Sequence, residues 1–290
     1  MFDEMRTFVL FADEGSVQKV AQRLPLTQPA VSRQIQRFEQ ALGITLLDRR
    51  QKPPVLTPAG QEVLARSRDI LAAFENMKAV AAAPEPNGLF RLGVAKGLAH
   101  DSLAGELGSA TARFPRVSMR LKSQWSHELA EQFRLGHLDA AILLSERSRY
   151  PQAENIGDEK LIVVGANGSS IADDPDTRAW VLSPEPCDAR RCLAELLAGQ
   201  RQPLTIAAEI EDAGMQLALV RRGFGLGLMP GRLFESSSPH GIERVNISDQ
   251  DLHLDVVMLR SPHLGSMSKV ADAISTVARG FITGTQPVIS

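Results

Sequence analysis

Gln28, Ser32, Arg33, Gln36 and Arg37 are the residues whose types and spacing suggest chemistry. At roughly 100° per residue they gather, with Pro29 and Gln40, on one side of a helix. Val31, Ile35, Phe38 and Leu42 fall on the opposite side. The outer side holds no acid and no large aliphatic. Its guanidiniums and side-chain amides are forked donors, suited to base edges and phosphate oxygens.

The elements that must position this face can be read around it. Thr27 is a helix cap, with Gln28 and Pro29 in the first turn, where proline is tolerated. Ser16 caps a shorter helix carrying Val17, Val20, Ala21 and Leu24 at helical spacing, broken at Pro25-Leu26. Residues 2–14 read as a first helix with an apolar stripe of Met5, Phe8, Val9 and Ala12, ended by Gly15. Gly43 likewise ends the outer-face helix. Ile44–Leu47 and Val55-Leu56 then read as two short strands around the cationic tip Asp48–Pro54. Helix, turn, helix and basic hairpin form the pattern of a winged helix-turn-helix that reads DNA. Charge agrees. Residues 16–60 hold seven Lys or Arg against Glu39 and Asp48, whereas the whole chain carries −2. A local cation excess is what phosphate neutralisation requires.

The stretch resembles the N-terminal domain of LysR-type transcriptional regulators. The resemblance is carried by Phe8-Val9, Gly15-Ser16, Ala21, Leu24 and the run Thr27–Ile35, then Glu39, Leu42–Ile44, Leu46-Leu47, Arg49, Leu56-Thr57 and Ala59-Gly60. Val17, Val20, Pro25 and Leu47 depart from the family pattern at core or turn positions. Candidate DNA contacts are Ser16, Thr27, Gln28, Pro29, Ser32, Arg33, Gln36 and Arg37, with Arg49 and Arg50 of the wing on phosphate. The resemblance implies double-stranded DNA, a second copy of the chain (dimer or tetramer), a small-molecule effector and RNA polymerase as partners. It implies no cofactor.

Thr57-Pro58 starts a long helix expected to reach about Ala83. Val63, Ser67, Ile70, Phe74, Met77 and Ala81 recur in a heptad seam. Val63, Ile70, Phe74 and Met77 are the candidate dimerisation residues, and in the family this linker helix is the dimer contact. Pro84–Gly88 is a hinge by composition. Beyond it, strand-like runs (90–95, 117–122, 140–144, 161–165, 180–182, 204–208, 225–229 and 254–259) alternate with amphipathic helical runs. Such alternation predicts parallel sheets covered by helices, and two sheets fit the length. The expected fold is therefore α/β, behind an α-rich winged helix-turn-helix and a long linker helix; the resemblance implies a two-lobed effector domain like periplasmic binding proteins. By the resemblance, residues 1–58 are the DNA-binding domain and 59–88 the linker. Residues 89–290 are then the effector domain, with lobe I at 89–160 and 266–290 and lobe II at 161–265.

In open α/β sheets ligands bind beyond strand carboxyl ends, where helix N-termini point. That places Lys96, Gly97, His100, Ser126, His127 and Ser145 in the candidate effector site, with Phe224 from the second lobe. Trp125 is a candidate apolar wall, Ser126 a cap, and Glu211-Asp212 opens a helix. Lys96 and a protonated His100 predict an anionic effector. Family members often carry Ser or Thr at Lys96 or Gly97. Gly223–Gly227 enters a strand, not a helix, which excludes a nucleotide loop. No catalytic motif or metal-ligand spacing is present, so no catalytic or metal residue is expected and an enzyme reading has no support. Cys187 and Cys192 read as two ordinary thiols, although arginines in the CDARRC segment would lower a thiol pKa. No apolar run is long enough for a membrane helix, and MFDEMRTF lacks a basic n-region; a cytoplasmic protein is expected. The alternative function is that of a solute-binding protein without a regulatory role.

Overall fold

The computed structural model describes residues 1–79, 85–146, 149–169, 178–237 and 239–284. Ala81 of the seam, the expected helix end near 83, Pro84 of the hinge and the last six residues lie outside them. The chain divides into two compact units. One comprises residues 1–87, 131–139 and 261–268, the other residues 88–130, 140–260 and 269–290.

The first unit opens with α1 (Phe2–Glu14), α2 (Val17–Arg23) and α3 (Gln28–Leu42). Met5, Phe8, Phe11, Val20, Val31, Ile35 and Phe38 form its core, with the Phe8 and Phe38 rings 5.6 Å apart. Leu42, expected on this buried face, is 40% exposed, because the helix ends there and Gly43 turns the chain away. Thr27 caps α3 as expected, its hydroxyl accepting from the Ala30 amide. Ser16 has the extended backbone of a cap but makes no side-chain cap bond. The wing is shorter than expected: β1 (Leu47–Asp48) pairs antiparallel with β2 (Val55–Leu56). Residues 44–46 stay outside the ladder, and the Leu46 and Leu47 amides donate to the Glu39 carboxylate instead.

The linker helix α4 (Pro58–Ala79) starts where the Thr57 hydroxyl accepts from the Gly60 amide. Gly60 allows this close approach, since a β-carbon there would sit 2.2 Å from the Leu46 carbonyl oxygen. Leu64, Val63 and Leu71 of α4 join the core of α1–α3.

In the second unit one mixed sheet of nine strands replaces the two parallel sheets expected. β3 (Gly88–Ala95) lies parallel to both β4 (Val117–Gln124) and β5 (Ala140–Ser145). β7 (Ala179–Leu182) lies parallel to both β8 (Thr205–Glu209) and β9 (Leu226–Pro230). The two groups are joined by β6 (Glu154–Ala166) and β11 (Leu252–Arg260), which pair antiparallel with each other and with their neighbours. β10 (Ile242–Val245) adds to β6. β10 escapes a sequence reading because Glu243 and Arg244 separate its two apolar residues. Helices α5 (Asp101–Ala112), α6 (Ser126–Arg134), α7 (Asp188–Gly199), α8 (Ala213–Arg221), α9 (Gly231–Ser237) and α10 (Ser268–Thr283) complete the chain. β5 is buried at every residue, which explains its unbroken apolar run AAILL, closed by Ser145. Gly225 sits where a β-carbon would meet the Ala179 carbonyl oxygen at 2.5 Å; the glycine-rich stretch serves strand packing.

Candidate functional site

The outer face of α3 has the expected arrangement. Thr27, Gln28, Pro29, Arg33, Gln36 and Arg37 are exposed, Ser16 and Ser32 partly so, while Val31, Ile35 and Phe38 are buried. The Arg33 Nε donates to the Pro29 carbonyl at 3.3 Å, which leaves its terminal nitrogens out of that bond. On the inner side Gln34 bonds Thr7 of α1.

The wing arginines are tied to carboxylates. Arg49 grips Glu39 with both terminal nitrogens, at 3.2 and 2.6 Å. Burial alone would raise the Glu39 pKa. The Arg49 bonds and the Leu46 and Leu47 amides outweigh it, and the carboxyl stays below its usual range. Arg50 pairs with Asp48, whose pKa that pair lowers to about 2. Glu39 therefore fastens the wing to α3, a role its sequence signal hints at only through the motif. Both guanidiniums keep N–H groups for phosphate beyond these bonds.

Of the seam residues on α4, Ile70 and Met77 are 49% and 64% exposed. Val63 packs against the α1–α3 core, and the Phe74 ring lies 4.6 Å from that of Phe2, tilted by 55°.

The second unit holds a pocket of about 460 Å³ beyond the strand ends. Lys96, Gly97, Ser126 and His127 line it, as expected, with Trp125. His100, Ser145 and Phe224 do not. His100 packs its ring on Phe281, and burial lowers its pKa, so the charge expected of it is disfavoured. Ser145 is buried and donates to the Glu146 carbonyl. Phe224 is 56% exposed, ahead of β9. Ser126 begins α6 but does not cap it: its hydroxyl accepts from the Leu144 amide at 3.1 Å, and Glu128 accepts from Trp125 at the helix end.

The lining also takes in Arg149 and Ser183 from loops, Cys187 and Asp188 at the start of α7, Gln216 within α8, and Glu211 and Asp212 just ahead of it. Gln216 donates to the Ser183 hydroxyl at 2.9 Å, and Asp212 caps α8 through the Met215 amide. Arg149 pairs with Asp188, which also takes Arg191, and Arg191 reaches Glu146. Burial pushes the Asp188 carboxyl up in spite of both guanidiniums. The pocket is thus not uniformly cationic. Lys96 enters it just after β3, its ammonium 4.8 Å from the Trp125 ring centroid, and acids enter it at the starts of α7 and α8. The CDARRC arginines do not activate the thiols, since Arg190 and Arg191 are spent on Glu209, Glu146 and Asp188. Burial raises the pKa of Cys187 and Cys192, and both thiols are free.

Among the described residues, no helix is long and apolar enough to cross a membrane. Residues 2–61 match the bacterial regulatory helix-turn-helix domain of the lysR family, and residues 83–281 the LysR substrate binding domain. The transcriptional regulator TfdS of Cupriavidus pinatubonensis is 28% identical, over 97% of this chain and 96% of its own. Full-length OxyR from Pseudomonas aeruginosa superimposes with a TM-score of 0.75 at 20% identity, covering 95% of this chain and 97% of its own. Full-length CbnR in complex with its target DNA gives 0.56 at 22% identity, covering 96% and 99%. The two matched domains, in this order and over this length, place the chain in the LysR family of DNA-binding, effector-responsive transcriptional regulators.

Proposed function

We propose that this regulator reads a dyad-related DNA site through Gln28, Ser32, Arg33 and Gln36 of α3, while Arg37, Arg49 and Arg50 hold phosphate. The observation that carries this reading is the acid-free outer face of α3, exposed opposite the buried Val31, Ile35 and Phe38. Residues 1–58 form the reading head and 59–88 the linker. Residues 89–290 form the effector domain, with lobe I at 89–160 and 266–290 and lobe II at 161–265. Ile70 and Met77, large and exposed on α4, are the part of the seam that a second copy covers. The product is a homodimer, or a tetramer built from dimers. A small molecule in the pocket shifts the spacing of the paired heads and so changes transcription, with RNA polymerase as the partner that registers the change. The protein acts in the cytoplasm and catalyses no reaction on its effector.

The test is selection of bound sequences from random duplex DNA, followed by footprinting. The expected product is an inverted repeat whose half-sites lie one or more helical turns apart. A plug inside the pocket checks the effector arm. Ala213, exposed at the start of α8 and lining the pocket, is better placed than Ser126, whose hydroxyl already serves the Leu144 amide. Ala213→Trp is expected to bind the selected DNA normally and lose its ligand response. Recovery of no preferred sequence sinks the DNA reading, and a full ligand response in the plugged protein sinks the pocket.

A further inference from the structure

Two helices end on one arginine of the linker. Arg68, in the middle of α4, keeps only 12% of its side chain exposed. Its Nη2 pairs with the carboxylate of Asp13, in the last turn of α1, and its Nη1 donates to the carbonyl of Gly136, just past the end of α6. Both are places where a cation is favoured. A carboxylate in the last turn of a helix opposes the helix dipole, and carbonyls at a helix end attract positive charge. Gly136 lies close against α4. Its φ is +67°, and a β-carbon there would stand 3.2 Å from the Ala65 α-carbon and 3.4 Å from Arg68 Cδ. A second tie, Arg134 to Glu62 at 3.2 Å, is exposed on both sides and adds little. The largely buried Arg68 is the stronger joint, because its charge-assisted bonds are less screened by water and salt.

α6 runs from this joint to the pocket. Its first residues, Ser126 and His127, line the pocket, and its last, Arg134, lies two residues before Gly136. The Ser126 hydroxyl accepts from the Leu144 amide at 3.1 Å, which fastens the start of α6 to the pocket end of β5. At the other end residues 135–139 join α6 to β5 directly, and the Leu135, Gly136 and His137 amides bond back to Glu131, Phe133 and Gln132. Helix and strand are thus tied at both ends, and the nine residues of α6 span about 13 Å. Beyond the joint, α1 is held to α3 by the Thr7–Gln34 bond and the Phe8–Phe38 ring contact. A shift of α6 therefore has a continuous path of bonds and packed rings to the helix proposed to read DNA.

We infer that Arg68 is a positioning residue that couples the pocket to the reading head: it carries a displacement of α6 to α1, and α1 carries it to α3. This rests on the reading of the pocket as the effector site. Coupling of this kind is reciprocal, so DNA held by the head is felt along α6 just as ligand in the pocket is felt at the head.

The test takes DNA as the probe. Hydrogen exchange of the full-length protein is followed with and without a mixed-sequence duplex at low salt, where phosphate contacts suffice for binding. In the wild type the duplex is expected to change exchange at the α6 amides by about fivefold or more, the lower range of ordinary coupling energies. Arg68→Met keeps the buried stem, and Asp13→Ala removes the partner carboxylate from the surface of α1. Each should abolish the change at α6 while the duplex still protects α3. A tie with a structural role alone would lower the melting temperature of both variants and leave the DNA-induced change at α6 in place. That result overturns the coupling, as does an α6 that DNA leaves unchanged in the wild type. Failure of the pocket reading is seen elsewhere, as a full ligand response in Ala213→Trp, and does not alter these exchange results.

Discussion

The outer face of α3, proposed to read DNA, and the pocket proposed to take the effector are built in opposite ways. The α3 face is one helix of 15 residues, and its contact residues are fixed relative to one another by the helix alone. The pocket draws on residues from Ala95 to Leu254, brought together by a nine-stranded sheet. The first is therefore sensitive to anything that melts a small core, the second to anything that alters strand order or lobe angle. On the proposed reading, DNA reading and effector sensing should therefore fail separately.

The strongest way to break the comparison is Phe38→Ala. Phe38 is buried against Phe8 in a small core, and such truncations cost about 3–5 kcal/mol. DNA binding is expected to vanish, while ligand binding in the pocket, followed by titration, stays within error of wild type. A matching loss of ligand binding would show the two regions to be one cooperative unit. Ile70→Asp ranks next. An unpaired charge in a covered apolar seam costs several kcal/mol (roughly 2–7 for a buried polar group). Sedimentation should show a smaller species, and operator affinity should drop with it; an unchanged oligomer assigns assembly to other surfaces.

Smaller effects sharpen the α3 side. Arg33→Ala should cost about 1–3 kcal/mol in DNA affinity and relax preference at one base position. Arg49→Ala should weaken all sequences alike and reduce the salt slope by about 1. It also releases Glu39, so the wing domain should melt earlier, a change Arg33→Ala does not share. Unaltered base preference in Arg33→Ala would move the reading face elsewhere on the helix.

Acid titration offers the finest contrast. The Glu39 pKa is lowered, in balance, by Arg49 and two amides. Its contribution to stability is present above the unfolded carboxylate pKa, near 4.3, and is lost as pH falls through the lower folded value. Asp188 is raised by burial. Its charged form costs stability above the folded pKa, and that cost is relieved as pH falls toward the unfolded value. Mild acid should thus weaken the reading head and spare the pocket unit. Glu39→Gln and Asp188→Asn, measured by melting across pH 3–6, should each flatten one of the two slopes; parallel slopes in both variants would refute the assignment.

The same contrast explains what could be read without a structure. Val31, Ile35 and Phe38 repeat at helical period, so α3, its cap and its outer face were legible from local spacing. The eight strand runs were legible too, because buried strands such as β5 are short apolar blocks. Their arrangement was not: nothing in the residues of β6 or β11 announces antiparallel pairing that merges two expected sheets into one. The pocket was half legible for the same reason. Lys96, Gly97, Ser126 and His127 follow directly from strand ends. Arg149 and Ser183 on loops, and Cys187 and Asp188 at the start of α7, reach the pocket only through tertiary folding. His100 and Ser145 lie at equally plausible strand ends, but the chain turns them toward Phe281 and the Glu146 carbonyl.

β6 has one more property that bears on signalling. Its residues up to Leu161 pair with β11, and from Leu161 onward they pair with β9 and then β10. Leu161 belongs to both ladders and also lines the pocket. The two lobes are consequently not plates joined by slack cord; they are the ends of one stiff ribbon. Any rotation between them must be absorbed as twist over a few peptide units, against intact hydrogen bonds. Such a ribbon resists wide swings and favours small, springy deflections that recoil when the effector departs. On the proposed reading, the change that respaces the paired heads begins as a twist of this ribbon.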